Sequence, residues 1–566
     1  MGAALSAHKT ELTTPAFSFE SPGIVSAKFS AFGYIAMKSS LESRGTGKGL
    51  HAAPTGLAHL LRFLPGWKLL VLSLAAAYFL YCFVTSQPIF AHPLPKHTGP
   101  YAVGAIDIEA PVSPARTIDP ARFKGTAEKA FELQSVLFTL YYPTTYAAAS
   151  SSQTRRHTWI PKPLWLRAKG YARAAHISNW VTDAIFTGAI RGLVGSITIP
   201  AAVDVPLSDH ASRESKFATS WDKEETKQQV LDSGLSGHHV IIFSHGTVSS
   251  RTDYSHYAGE LAARGYVVAM LEHRDGSCPG SVIMRHVHPD QIRLLFDESE
   301  VETTDGNKPS TEDFHKAQLN FREAEIEETV RVLKMINLGR GADVFQQNPR
   351  GEGKDLPSWT GRLNTDEMII SGHSYGATGA LQTLRNGPNE KRPFKGAIIL
   401  DPGKSSGPLN KDINVPLLVV HSNSWSSHTS IFYGRAHFDT VKDIVEENNA
   451  RGNPSWFMTS LGTSHPSVTD APLLEPFLLS FTTGATINVY QGLRQYVHVA
   501  EDFLAFLSDG KERGLLAEKA EFPQYDAGSG LGMWKPGQGD DQKAWEEKGE
   551  WWDWRSYWQL HVSPDN

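Results

Sequence analysis

The sequence predicts an α/β fold, a mostly parallel central sheet with helices on both faces, plus an N-terminal transmembrane helix. Three observations carry this reading. Short apolar runs such as "HHVIIFSHG" and "GAIILD" alternate with segments of helical spacing, and strands apolar on both faces belong to parallel sheets covered by helices. A serine stands between glycines in Gly372-His373-Ser374-Tyr375-Gly376, where an apolar run gives way to small residues. Near the amino terminus, Leu69 to Val84 is uninterrupted by charge.

The 566 residues are 40% hydrophobic and 20% charged, an ordinary globular balance. The net charge of −6, without a lysine- and arginine-rich run, excludes a nucleic-acid partner from the expectations. Two cysteines, Cys82 and Cys278, provide no disulfide framework and no thiolate metal site.

Residues 1–66 are rich in Ser, Gly, Ala and Thr and read as a disordered cytosolic tail. Residues 67–90 are expected to form a signal anchor, since about 20 apolar residues cross a bilayer. Arg44, Lys48, Arg62 and Lys68 oppose a nearly uncharged far side, which predicts a lumenal or extracellular catalytic domain. A signal cleaved near Ala91, giving a secreted protein, and a buried core helix are the alternatives.

Residues 91–132 read as linker and entry, and 133–520 as one catalytic domain with insertions. "LQSVLFTLYYPTTY" alternates as a strand, whereas residues 163–200 show no clear period. After "HHVIIFSHG", Tyr254, Tyr257 and Leu261 have helical spacing, and "YVVAMLEHRDG" is a further buried strand. A polar insertion precedes an amphipathic helix with Ile326, Val330, Leu333 and Ile336 on one face. The strands Met368–Ser371, "GAIILD", "VPLLVVHS" and "SWFMTSLG" follow. Residues 521–566 form a Trp-rich tail of undecided role.

Gly-x-Ser-x-Gly at a strand-to-helix junction is a nucleophile elbow, which lifts the serine hydroxyl above the sheet edge. Ser374 is the expected nucleophile. The acid should leave a later strand, and Asp401 does so directly, with Asp439 much further on. His465, in the small-residue loop after the last apolar strand, is the expected base. His421 is the rival, and His498 sits in a helix-like run. The oxyanion donors are expected at the backbone N–H groups of Thr247 and Tyr375.

"IIFSHGTVSSRTDYSHYAGELAARGYVVAMLEHRDGS", "GHSYGATGALQTL" and "AIILDPG" together resemble the platelet-activating factor acetylhydrolase family of single-chain plasma and intracellular type. The likeness runs over roughly residues 135–510 and is strongest in 241–277 and 369–402. It implies an α/β-hydrolase fold, a triad at Ser374, Asp401 and His465, oxyanion donors at Thr247 and Tyr375, and no metal or organic cofactor. It also implies a calcium-independent esterase cleaving the short or oxidised sn-2 acyl group of phospholipids at a membrane surface. The block Glu272-His273-Arg274-Asp275 reads as bracing. Gly403 stands where the family commonly has an aromatic, and Ala377 where it has glycine, which leaves acyl preference open. A general short-chain carboxylesterase and an inactive membrane-tethered scaffold are the competing functions. Oligomeric state is not legible.

Overall fold

The computed structural model describes residues 66–85, 88, 91–150, 154–209, 237–285, 289–428, 430–432, 434–476, 482–527 and 554–564. The tail expected over 1–66 lies outside these residues except for its last position, as do 528–553 of the Trp-rich tail.

β1 (Ala102–Phe123) and β2 (Lys129–Thr144) pair antiparallel, with Ile108 opposite Phe138. β1 also pairs with β3 (Ala202–Val203). β4 (His238–Ser244) and β5 (Val267–Glu272) begin the parallel series, with β5 bonded antiparallel to β2. β6 (Gly280–Ile283) and β7 (Gln291–Leu294) form a separate pair, while β8 (Val301–Glu302) joins β1. β9 (Leu363–His373), β10 (Phe394–Leu400) and β11 (Leu417–Ser422) continue the parallel core beside β4. After the small pair β12 (Ile431–Phe432) and β13 (Arg435–Ala436), β14 (Ser455–Ser460) extends the core and β15 (Trp558–Val562) closes it antiparallel. The main path is β15-β14-β11-β10-β9-β4-β5-β2-β1-β3.

Alternation along each central strand divides its side chains between two cores. Ile241, Phe243, Ile398, Leu400, Leu418 and Val420 face one; Val240, Ile242, Ala397, Ile399, Leu417 and Val419 face the other. Strand side chains alternate with period two, so both faces need covering. The first core takes Tyr257 and Leu261 of one helix (Ser255–Ala262) and Val497 and Phe503 of another (Val489–Asp509). The second takes Ile326, Val330 and Leu333 from Thr311–Met335, Ala377 and Ala380 from Tyr375–Thr383, and Val441 and Val445 from His437–Ala450. This mixed α/β sheet fits the expected α/β-hydrolase architecture.

Sequence reading and structure part at the two ends of the chain. β1 occupies most of the stretch read as linker and entry, and it carries Pro111, Pro114 and Pro120, which interrupt a strand pattern. The Trp-rich tail supplies β15, whose Trp558 and Leu560 are buried. The unplaced stretch 163–200 folds as helices Leu164–Ala174 and Trp180–Leu193. The apolar run forms a helix, Gly66–Thr85, with Leu70, Leu72, Leu74 and Leu80 exposed. Among the described residues, however, no helix is long and apolar enough to cross a membrane.

Candidate active site

Residue 374 sits between the end of β9 and the helix Tyr375–Thr383, at φ 57° and ψ −123°. Positive φ is strained for a non-glycine residue, and here Leu400 O accepts the Ser374 N–H at 3.0 Å. The flanking glycines are required by space. A Cβ on Gly372 would lie 2.4 Å from Gly376 O, and one on Gly376 would lie 2.0 Å from Ser244 O. Tyr375 opens the helix, where an N–H has no intrahelical acceptor.

Asp401 directly follows β10 and is 2% exposed. The backbone N–H of Ser422 donates to its Oδ1 at 2.6 Å, and the Ser422 hydroxyl to its Oδ2 at 2.7 Å. The same Oδ2 lies 2.8 Å from His465 Nδ1. His465 N–H donates to Ser424 Oγ at 2.9 Å, which anchors the loop. A ring nitrogen held on a carboxylate fixes the tautomer, leaving Nε2 as the free basic atom.

Two aromatic systems hold the imidazole. Trp425 stacks on it with centroids 4.0 Å apart and planes at 11°. His373 lies on it at 4.4 Å and 35°. Trp425 is itself fixed, since its indole N–H donates to Pro402 O at 3.0 Å. Lys404 Nζ lies 4.5 Å over the indole and donates to Trp425 O at 2.7 Å. Burial pushes the Lys404 ammonium down to about 8, against the pull of Asp401. Burial, and next the charge of His465, hold His373 well below the ordinary histidine range. Neutral His373 places its Nδ1 2.9 Å from the Tyr254 hydroxyl, which accepts the Gly246 N–H at 3.2 Å.

The loop after β4 approaches from the other side. A Cβ on Gly246 would lie 3.1 Å from Ser374 Cβ, so Thr247 follows immediately beside the elbow. Below it, Arg322 donates to His245 O at 2.7 Å and to Asp275 Oδ2 at 2.7 Å, its guanidinium 4.5 Å over the Tyr375 ring. The whole charged block is buried. His273 bonds Glu325 at 2.6 Å and Ser244 at 2.7 Å, and Arg274 bonds Glu109 at 2.8 Å, in keeping with a bracing role.

The structure thus places Ser374, Asp401, His465, Thr247 and Tyr375 beyond the carboxyl ends of β4, β9, β10 and β14. It places the rivals elsewhere. His421 packs among His437, Phe438 and Phe457 with Nδ1 on Ser426. Asp439 lies in the first turn of another helix, and His498 lies 3.8 Å from Glu501. Sequence reasoning missed Ser422, Trp425 and the partnership of His373 with Tyr254. The elbow pattern gave a signal for His373 only. Gly403 has a physical reason, because a Cβ there would lie 2.0 Å from Ser406 Oγ. No aromatic fits at 403, and Trp425 supplies one from the neighbouring strand end.

Residues 215–528 match the family described as platelet-activating factor acetylhydrolase, isoform II. A platelet-activating factor acetylhydrolase of Cavia porcellus is 25% identical over 339 residues, covering 59% of this chain and 61% of that protein. A putative phospholipase A2 of Schizosaccharomyces pombe is 33% identical over 145 residues, 24% of this chain and 33% of that one. The Bos taurus platelet-activating factor acetylhydrolase is 27% identical, covering 54% of each. The chain therefore spans less than two thirds of these three relatives. A ferulic acid esterase from Streptomyces cinnamoneus overlaps 76% of this chain and 97% of its own with TM-score 0.43 and 14% identity. With its matched segment covering more than half of its length, the chain belongs to the platelet-activating factor acetylhydrolase family, isoform II.

Proposed function

We propose that the protein is a serine esterase hydrolysing the short or oxidised sn-2 acyl ester of phospholipids. The observation that carries this is the 2.8 Å bond from His465 Nδ1 to Asp401, in a loop adjoining a serine held at φ 57°. Family membership supports the substrate class.

In the proposed reaction, His465 Nε2 takes the proton of Ser374 as its Oγ attacks the ester carbonyl. The N–H groups of Thr247 and Tyr375 hold the oxyanion. His465, protonated and still bonded to Asp401, gives the proton to the departing lysophospholipid oxygen. Water, deprotonated by the same imidazole, then attacks the acyl-enzyme, and the acid leaves as Ser374 regains its proton. The apolar helix Gly66–Thr85, with its exposed leucines, is proposed to keep this site near lipid, its domain lumenal or extracellular.

Fluorophosphonate labelling tests the nucleophile: the wild-type chain labels, and Ser374→Ala does not while keeping its fold by circular dichroism. Labelling that survives the substitution means another serine reacts. Turnover of 2-acetyl phosphatidylcholine against a soluble aryl acetate then separates a phospholipid esterase from a general one.

A further inference from the structure

We propose that a second, cationic cavity binds a phosphate group. The cavity measures about 290 Å³ and is lined in part by Arg155, Arg156, Lys162, Arg251 and Arg350. That is close to the lower end of small-ligand sites, roughly 300 Å³, and suits a glycerophosphate-sized group rather than a whole lipid.

Its two lining carboxylates, Asp107 and Glu352, are already matched. Arg251 bonds Asp107 Oδ2 at 2.6 Å, and Thr139 donates to Oδ1 at 2.6 Å. Glu352 takes Arg155 at 2.5 Å and His157 at 2.9 Å. Arg251 and Arg350 are oriented from behind, at 3.3 Å from Glu272 and 2.6 Å from Glu109. Arg156 and Lys162 are exposed and, among the described residues, have no ion-pair partner. Arg155, Arg251 and Arg350 are thus each matched by a carboxylate, and the unmatched charge of Arg156 and Lys162 at the rim favours an anion. The guanidinium fork of Arg156 matches phosphate oxygens in particular.

Ligating atoms of Asp107, His157 and Glu352 lie within 4.8 Å of one another, which raises a divalent cation as the rival. Such a cation would have to displace Arg251 and Arg155 from the carboxylates and sit among like charges, so the anion is favoured. The cavity is joined to the reaction centre through the chain. Arg251 and Thr252 line it, and they lie in the same loop as Gly246 and Thr247. Arg251 N–H donates to Glu272 at 3.1 Å, tying that loop to β5. Binding at the cavity stands independently of the proposed nucleophile, and only its influence on turnover rests on that reading.

The test uses the full chain carrying Ser374→Ala, so binding is read without catalysis. Inorganic phosphate should raise its melting temperature saturably, because a ligand of the native state stabilises it. Adding Arg156→Ala and Lys162→Ala should weaken the apparent Kd about tenfold, the scale of a charged hydrogen bond. Two vesicle arms identify the source, pure phosphatidylcholine and phosphatidylcholine with phosphatidic acid. Loss of binding to the phosphatidic-acid vesicles in the triple variant, reproduced in its parent by free phosphate, supports a lipid headgroup. Unchanged vesicle binding with a lost thermal shift supports free phosphate. No saturable shift, an identical shift in both proteins, or stabilisation by manganese but not phosphate overturns the proposal.

Discussion

The two halves of the sheet bury polar groups in opposite ways. Along β9, β10 and β11 the strands are apolar, and polarity is confined to their ends, where Asp401, His465 and Ser422 meet. Within β1 and at the carboxyl end of β5, by contrast, charged groups themselves are buried. Glu109 binds Arg274 at 2.8 Å, Asp275 binds Arg322 at 2.7 Å, and Glu272 binds Arg167 and Arg251. The first arrangement leaves one carboxylate–imidazole pair dominant in a neutral setting, as reactive chemistry requires. The second spreads charge over many fixed partners and serves to hold loops. Losses on the apolar side should therefore appear in rate, and losses on the ionic side in stability.

The largest effect belongs to the apolar side. On the proposed mechanism, Asp401→Asn should lower kcat by about 10⁴-fold, since the imidazole is then held in the wrong tautomer. The unfolding midpoint in urea should move little, because asparagine still accepts the Ser422 N–H. A large stability loss with a small rate loss would reverse the contrast between the halves.

Next comes Arg322→Met on the ionic side. Arg322 is fully buried and bonds Asp275, His245 O and Ser277. Removing it leaves Asp275 buried with only the Ser277 N–H and hydroxyl as donors and no cation, and breaking such a pair costs about 3–5 kcal/mol. Urea unfolding measures this directly. A cost under about 1 kcal/mol would mean that water or rearrangement satisfies Asp275, and that the network braces less than its geometry implies.

Thr247→Pro removes one backbone donor beside the elbow and should lower kcat by about 10²–10³-fold. The substitution leaves the buried ion pairs untouched, so stability should hold. Thr247→Ala keeps the N–H and should retain activity, which separates loss of the donor from loss of the side chain.

How legible these halves were follows from the same contrast. β4, β9, β10, β11 and β14 could be read because each carries a short apolar run, and the ends of four of them then pointed to Ser374, Asp401, His465 and Thr247. The ionic half was legible only as a block, Glu272 to Asp275, because its partners Glu109, Arg167 and Arg322 lie far away in sequence and no local pattern links them. β15 escaped notice because a five-residue edge strand inside a tryptophan-rich tail reads equally well as part of a lipid-facing segment. Trp425 escaped because its value lies in reaching across from β11 to the loop after β14.

Trp425 also provides the smallest and most discriminating effect. Its indole carries His465 on one face and the Lys404 ammonium 4.5 Å over its ring, so two cations compete for one π system once the imidazole is protonated in the reaction. Lys404 is pushed down to about 8 by burial. As pH rises through that value it loses its charge, and the ring is left to the imidazolium. A cation–π contact contributes about 0.5–1 kcal/mol at such sites, so kcat should rise about two- to fivefold between pH 7 and pH 9. Lys404→Met should remove this step by holding the rate at its upper level throughout. Trp425→Leu should remove it at the lower level, because the indole face that meets the protonated ring is then gone. Parallel profiles for all three proteins would show that the stacking only positions the imidazole, and that its charge is balanced by Asp401 alone.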